Sequence, residues 1–160
     1  KKNGITNYRI FEAVDGSKHP DYISYQRKFN FFDSKGAFGI ILTAYKIILD
    51  AIKNKYKRIL LFEDDVIFHK NFQNEFHKKV KHIPDYWKLL YFGTSMHTWR
   101  LKERCHYKQH FLTARGSIPG AFAVGINASV YLELLNLLNS SGKAWDLGPL
   151  KYINERYNGI

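Results

Sequence analysis

Arg58-Ile59-Leu60-Leu61-Phe62-Glu63-Asp64-Asp65-Val66 is an apolar run of strand length that stops abruptly at three consecutive carboxylates. Arg58 to Phe62 is too uniformly apolar for a half-exposed strand and is read as a buried central one. A helical pattern leads directly into it. From Gly36 onward, Phe38, Ile41, Leu42, Tyr45, Ile48, Leu49 and Ile52 recur at i, i+3, i+4 and i+7 spacing, while Lys46, Asp50 and Lys53 face outward. A helix feeding a buried strand is the repeating unit of α/β folds.

Farther along the chain, Asn71 to His82 is a second, more basic helical segment that stops before Pro84. Trp87 to Phe92 reads as another buried strand ending at Gly93, and Tyr107 to Thr113 and Ala121 to Ile126 as further strands. A helix from Ala128 to Leu138 follows, then a terminal helix beginning near Leu147. On the amino-terminal side, Tyr8 to Val14 reads as a short strand closed by the turn pair Asp15-Gly16, with a polar, aromatic loop running on to Ser34. Thr94 to Arg104 is polar and irregular, a candidate binding loop. No internal repeat, low-complexity linker or domain boundary interrupts the pattern, so residues 1–160 are read as one α/β domain. Ligands of such layer folds bind beyond the strand carboxyl ends, where both the acidic triplet and Gly93 fall.

The 160 residues are 45% hydrophobic, enough for one substantial core. Lys and Arg total 25 against 14 acids, so the net charge of +11 favours anionic partners: nucleotides, nucleic acid or an anionic membrane. The basic residues are scattered, and the clusters Lys53 to Arg58 and Lys78 to Lys81 read as solvated surface. No stretch approaches the roughly 20 apolar residues of a membrane span, and the expectation is a soluble, cytoplasmic chain with any targeting segment outside it. Cys105 is the single cysteine, which excludes an intrachain disulfide or a thiolate metal cluster.

In an extended chain alternate residues share a face, so Glu63 and Asp65 converge while Asp64 points away. Adjacent carboxylates repel one another, and in a basic chain they suit a cation. Mg²⁺ and Mn²⁺ take one or two carboxylates and leave positions for a substrate phosphate. The competing reading is that Asp64 and Asp65 merely end the strand, since Asp is common in turns and helix caps. His69, four residues beyond Asp65, is either a further ligand or a surface histidine. His97, His106 and His110 read as ordinary polar residues.

Several ordered motifs carry a resemblance: Phe11-Glu12-Ala13-Val14-Asp15-Gly16, Gly36-Ala37-Phe38-Gly39, Ile59 to Asp65, Asp85-Tyr86-Trp87-Lys88-Leu89-Leu90-Tyr91-Phe92-Gly93, Gly120 to Leu138, and Ala144-Trp145-Asp146-Leu147. Together they resemble glycosyltransferase family 25, the lipooligosaccharide and procollagen galactosyltransferases. The resemblance implies a GT-A type nucleotide-diphospho-sugar transferase fold, a UDP-galactose or UDP-glucose donor, and Mn²⁺ or Mg²⁺ at the acidic motif. It also implies inverting transfer to a hydroxyl on a glycan, lipooligosaccharide or protein. Asp65 is then the direct metal ligand, Glu63 assists through water or the ribose, Asp64 lies beside them, and Gly36 and Gly39 are near the nucleotide.

The same resemblance puts Asp146 on the acceptor side as the base that takes the hydroxyl proton; should Asp146 be only a cap, Glu155 is next in line. The competing reading of Asp146 is the N-cap of a helix from Leu147 to Tyr157. Trp99, Arg100, Arg104 and Arg115 are candidates to grip diphosphate or stack on sugar, against a reading as ordinary surface. Gly120 and Gly125 either permit close approach of substrate or serve packing. The family opens with a further strand bearing Asn-Leu and Arg, continues past Asp146, and often has Ser-His where Thr43-Ala44 stand here. The expectation is therefore a minimal or amino-terminally truncated version. A noncatalytic GT-A-like binding module and a basic nucleic-acid-binding domain are the competing functions.

Overall fold

Ser34 opens the longest helix by accepting the Ala37 N–H at 3.1 Å on its hydroxyl, which satisfies one of the otherwise orphaned first-turn donors. In the computed structural model, which describes residues 5–31, 34–95, 105–108, 111–114 and 116–157, this helix is α2 (Lys35–Lys53), preceded by α1 (Tyr22–Phe29). Then follow β1 (Arg58–Phe62), α3 (Phe72–Val80), β2 (Leu89–Gly93), β3 (Cys105–Lys108), β4 (Phe111–Ala114), β5 (Ala123–Asn127), α4 (Tyr131–Ser140) and α5 (Pro149–Arg156). Of the positions the spacing predicts, Phe38, Ile41 and Ile48 are buried, Leu42, Tyr45 and Ile52 pack partly buried against the core and Leu49 is exposed, while Ala44 and Ala51 complete the buried stripe.

Among the described residues the main sheet has three strands in the order β1-β5-β2, with β5 antiparallel to both neighbours. β1 and β2 therefore run the same way, and their carboxyl ends meet the amino end of β5: Phe62 and Gly93 both lie opposite Ala123. Phe92 is the extra residue of a bulge there. Contrary to the prediction, β1 is an edge strand of the described sheet, and the buried centre is β5, whose Ala123, Val124, Gly125 and Ile126 are all buried. The apolar uniformity of β1 has another cause. Ile59 and Leu61 pack on the core, while Phe62 on the opposite face meets the rings of Phe68 and Phe72 at 5.0 and 6.3 Å.

α2 and α4 pack together over one face, where Phe38, Ile48, Val124, Ile126, Leu134 and Leu138 form the core. α3 covers part of the other face through Phe72 and Phe76, which continue the ring contacts from Phe62 to Phe92. Helices on both faces of a mixed sheet make this an α/β fold. α5 packs on α4, and Glu133 of α4 accepts from Arg156 Nη1 at 2.8 Å and from the Tyr157 hydroxyl at 2.9 Å. No helix among the described residues is long and apolar enough to cross a membrane.

Three other local expectations change. Tyr8 to Val14 is irregular, because it lies along α2 and not beside a described strand: the Val14 N–H donates to Thr43 Oγ1 at 2.9 Å, and Thr43 in turn donates to the Gly39 carbonyl at 2.7 Å. The segment expected to loop to Ser34 contains α1, whose Tyr22 and Tyr25 rings lie 5.5 and 4.9 Å from Phe38. Tyr107 to Thr113 is not one strand but takes in parts of both strands of the antiparallel pair β3–β4, in which Lys108 lies opposite Phe111.

Candidate functional site

Where β1 and β2 end and β5 begins, a cleft of about 100 Å³ is lined by Ala37 and Ile40 of α2, by Glu63, by Gly120 and Ala121, and by Ala144, Trp145 and Asp146. Each wall has a local reason to be there. The Glu63 N–H donates to the Phe122 carbonyl at 2.8 Å, which extends the β1–β5 ladder by one step and anchors the first acidic residue at the strand end. The chain then turns, with the Val66 N–H directed to the Glu63 carbonyl at 3.4 Å, and leaves Asp64 and Asp65 exposed.

On the opposite wall, buried Trp145 anchors the segment between α4 and α5, and Asp146 follows it. Asp146 Oδ2 accepts the Gly120 N–H at 3.0 Å. Its helix-capping reading is corrected: Gly148 is the N-cap of α5, which starts at Pro149 because proline fits the first helical position. Gly120 has φ of +81°, and a Cβ there would lie 2.3 Å from the Phe122 ring, so this donor position requires glycine.

The electrostatics join the two walls. Burial against the cleft raises the Glu63 carboxyl above its ordinary value, and the charges of Asp65, Asp146 and Asp64 raise it further, although much of the residue is open to solvent. Four carboxylates thus act on one edge of a chain that carries +11 overall. Among the described residues no three His, Cys, Asp or Glu side chains converge as a ready-made metal cage. The all-oxygen donor set suits Mg²⁺ or Mn²⁺, which is commonly held by one or two carboxylates and completed by water and phosphate.

The remaining candidates separate. Gly36 is exposed near the start of α2, with Ser34 Oγ 3.5 Å from where a Cβ would be. Gly39 is the site of a backbone crossing, where a Cβ would lie 2.4 Å from the Val14 carbonyl oxygen. His69 Nδ1 accepts the Asn71 N–H at 3.2 Å just ahead of α3. Gly125 is in the central strand beneath Leu90, Phe92 and Trp87, and Glu155 pairs with Lys151 at 3.6 Å along α5. Trp99, Arg100, Arg104, Arg115, His97 and His110 lie outside the described residues, as does the side chain of His106.

Sequence reasoning missed Asn154 and Tyr91. Asn154 is 2% exposed, the buried polar side chain of the described core, and its Nδ2 donates to the Tyr91 hydroxyl at 3.0 Å and to the Gly116 carbonyl at 3.2 Å. The available signal is position: Asn154 lies four residues after Leu150, on the buried stripe of α5.

Compared with known families, residues 1–119 match the model of glycosyltransferase family 25 (LPS biosynthesis protein). That span holds Glu63, Asp64 and Asp65 and stops before Gly120 and Asp146. No curated protein matches the chain, and no solved structure does.

Proposed function

The chain belongs to glycosyltransferase family 25, and from that premise we propose that it transfers a hexose, galactose or glucose, from a UDP-sugar to a hydroxyl of a glycan, lipooligosaccharide or protein, with inversion. The observation that carries this reading is the shared cleft of Glu63 and Asp146, two carboxylates from distant parts of the chain facing one space at the sheet edge.

In a single displacement the acceptor oxygen attacks the anomeric carbon, its proton passes to a carboxylate, and the bond to the diphosphate breaks with its electron pair leaving on the phosphate. Asp146 is the proton acceptor in this scheme. The Gly120 N–H engages Oδ2 and orients the group, leaving Oδ1 for the acceptor hydroxyl. Asp65, assisted by Glu63, would hold Mn²⁺ or Mg²⁺, and such an ion supplies positive charge against the departing diphosphate. Mutual repulsion among the four carboxylates favours a cation there and disfavours a bare anion.

A noncatalytic nucleotide-sugar-binding module is the second reading, favoured by the family match ending at residue 119, ahead of Asp146. Release of UDP from UDP-galactose and UDP-glucose, measured with Mn²⁺ and lipooligosaccharide acceptors, separates the two. Asp146→Asn retains an oxygen for the Gly120 N–H but loses the proton acceptor, so kcat should fall by about 10² to 10⁴ with donor binding retained. Turnover by the variant at the wild-type rate overturns the base assignment. Donor binding by the wild type with no transfer to any acceptor selects the binding module.

A further inference from the structure

Asn154 is an expensive residue to bury. An amide removed from water costs free energy unless hydrogen-bonded, whereas an apolar pair of similar shape in place of Asn154 and Tyr91 would be nearly neutral for stability. Both Nδ2 hydrogens are nevertheless used in two different directions: one toward Tyr91 in β2, the other toward the Gly116 carbonyl at the start of the segment that leads to the cleft. Gly116 and Gly120 bracket that segment with φ of +79° and +81°, so its path is unusual at both ends. It is also tied by the Ser117 hydroxyl to the Asp146 carbonyl at 3.5 Å, the Ser95 N–H to the Pro119 carbonyl at 2.9 Å, the Gly120 N–H to Asp146 Oδ2 at 3.0 Å and the buried side chain of Ile118.

Resting on the assignment of Asp146 as the base, we propose that Asn154 and Tyr91 are positioning residues: a buried strut between α5 and β2 that holds residues 116–120 so that the Gly120 N–H meets the Asp146 carboxylate in one fixed orientation. The strut touches no substrate. It acts through Gly116 and the two-glycine segment. Burial raises the Tyr91 hydroxyl well above the ordinary tyrosine value, the hydrogen bond with Asn154 offsets part of that rise and the charge of Asp146 adds to it, so the phenol stays neutral and within electrostatic reach of the carboxylate it helps to place.

Two variants test this. Tyr91→Phe keeps the ring and removes the hydroxyl, and Asn154→Leu keeps the approximate volume and removes both donors. Hydrogen exchange of the Gly120 amide, followed by NMR against that of Val124 in the central strand, reports the strut directly. In each folded variant the Gly120 amide should exchange about tenfold faster relative to Val124 than in the wild type, since local opening is freed while the sheet is not. In the transfer reaction kcat should fall by about 10-fold to 100-fold with the donor KM unchanged, the signature of a misplaced catalytic group. Exchange that rises equally at Gly120 and Val124, or at neither, overturns the strut, as does a rise in donor KM with kcat unchanged. If Asn154→Leu does not fold, Tyr91→Phe decides alone. If the wild type transfers no sugar, the proposed function falls, while the Gly120 exchange ratio still decides whether the strut exists.

Discussion

Burial against the cleft, followed by the charges of Asp65, Asp146 and Asp64, raises the Glu63 carboxyl above its ordinary value of 4.5. A folded state that raises a carboxyl holds its proton more tightly than the unfolded chain does, so ionisation of Glu63 works against folding. The penalty is absent below the unfolded value and complete once the pH has risen through the folded one. Glu63→Gln, which removes the charge, should therefore melt higher than the wild type at about pH 7 in chelator, by about a degree or two because solvent screens a half-open group. The difference should shrink as the pH falls toward about 4. A variant that melts lower at neutral pH would show that Glu63 is held by favourable contacts and not by repulsion. The same substitution should weaken donor binding in the presence of Mn²⁺, since the charge that destabilises the bare fold is the one proposed to assist the cation.

The start of α2 makes a comparable distinction between two glycines of one motif. A Cβ on Gly39 would fall 2.4 Å from the Val14 carbonyl oxygen and 2.9 Å from the Gly16 nitrogen, both backbone atoms that cannot swing aside. Gly39→Ala should lower stability by about 1–3 kcal/mol, a fall in Tm of about 2–12 °C. Gly36→Ala meets only Ser34 Oγ at 3.5 Å and should leave Tm unchanged or raise it, because alanine loses less conformational freedom in a helix. Equal melting of the two variants would refute the backbone crossing.

α2 was legible because its buried stripe keeps the helical period, although Leu49 turns outward and Ala44 and Ala51 fill the stripe, and the strand ending just before Glu63 was legible because apolar side chains stop where charge begins. The rank of β1 was not, since packing on both faces of an edge strand imitates the composition of a central one. α1 was concealed by its polar residues, although Tyr22, Tyr25 and Phe29 recur at helical spacing. The Asp146 contact depends on a positive φ at Gly120, 26 positions away in the chain, and no local pattern encodes that meeting.

Charge is distributed in two opposing senses over the molecule. The surface as a whole carries +11 and draws anions in, while the carboxylates at the end of β1 would repel a diphosphate that arrived without a cation. UDP and Mn²⁺ should therefore stabilise the protein jointly and not separately. Binding to the native state alone contributes about 2.7 kcal/mol at a hundredfold excess over Kd, which for a chain of this size is a rise in Tm of about 5–10 °C. UDP with chelator, or Mn²⁺ without UDP, should give little of it, and Asp65→Asn should lose the joint shift while melting normally on its own. The shift should also survive moderate salt. Binding to nucleic acid through scattered lysines would instead fall steeply as salt displaces it from the phosphates. A full UDP shift in chelator, or in Asp65→Asn, would remove the cation from the site. A shift produced by single-stranded DNA, absent with UDP and persisting at high salt, would transfer the basic surface to a nucleic-acid function.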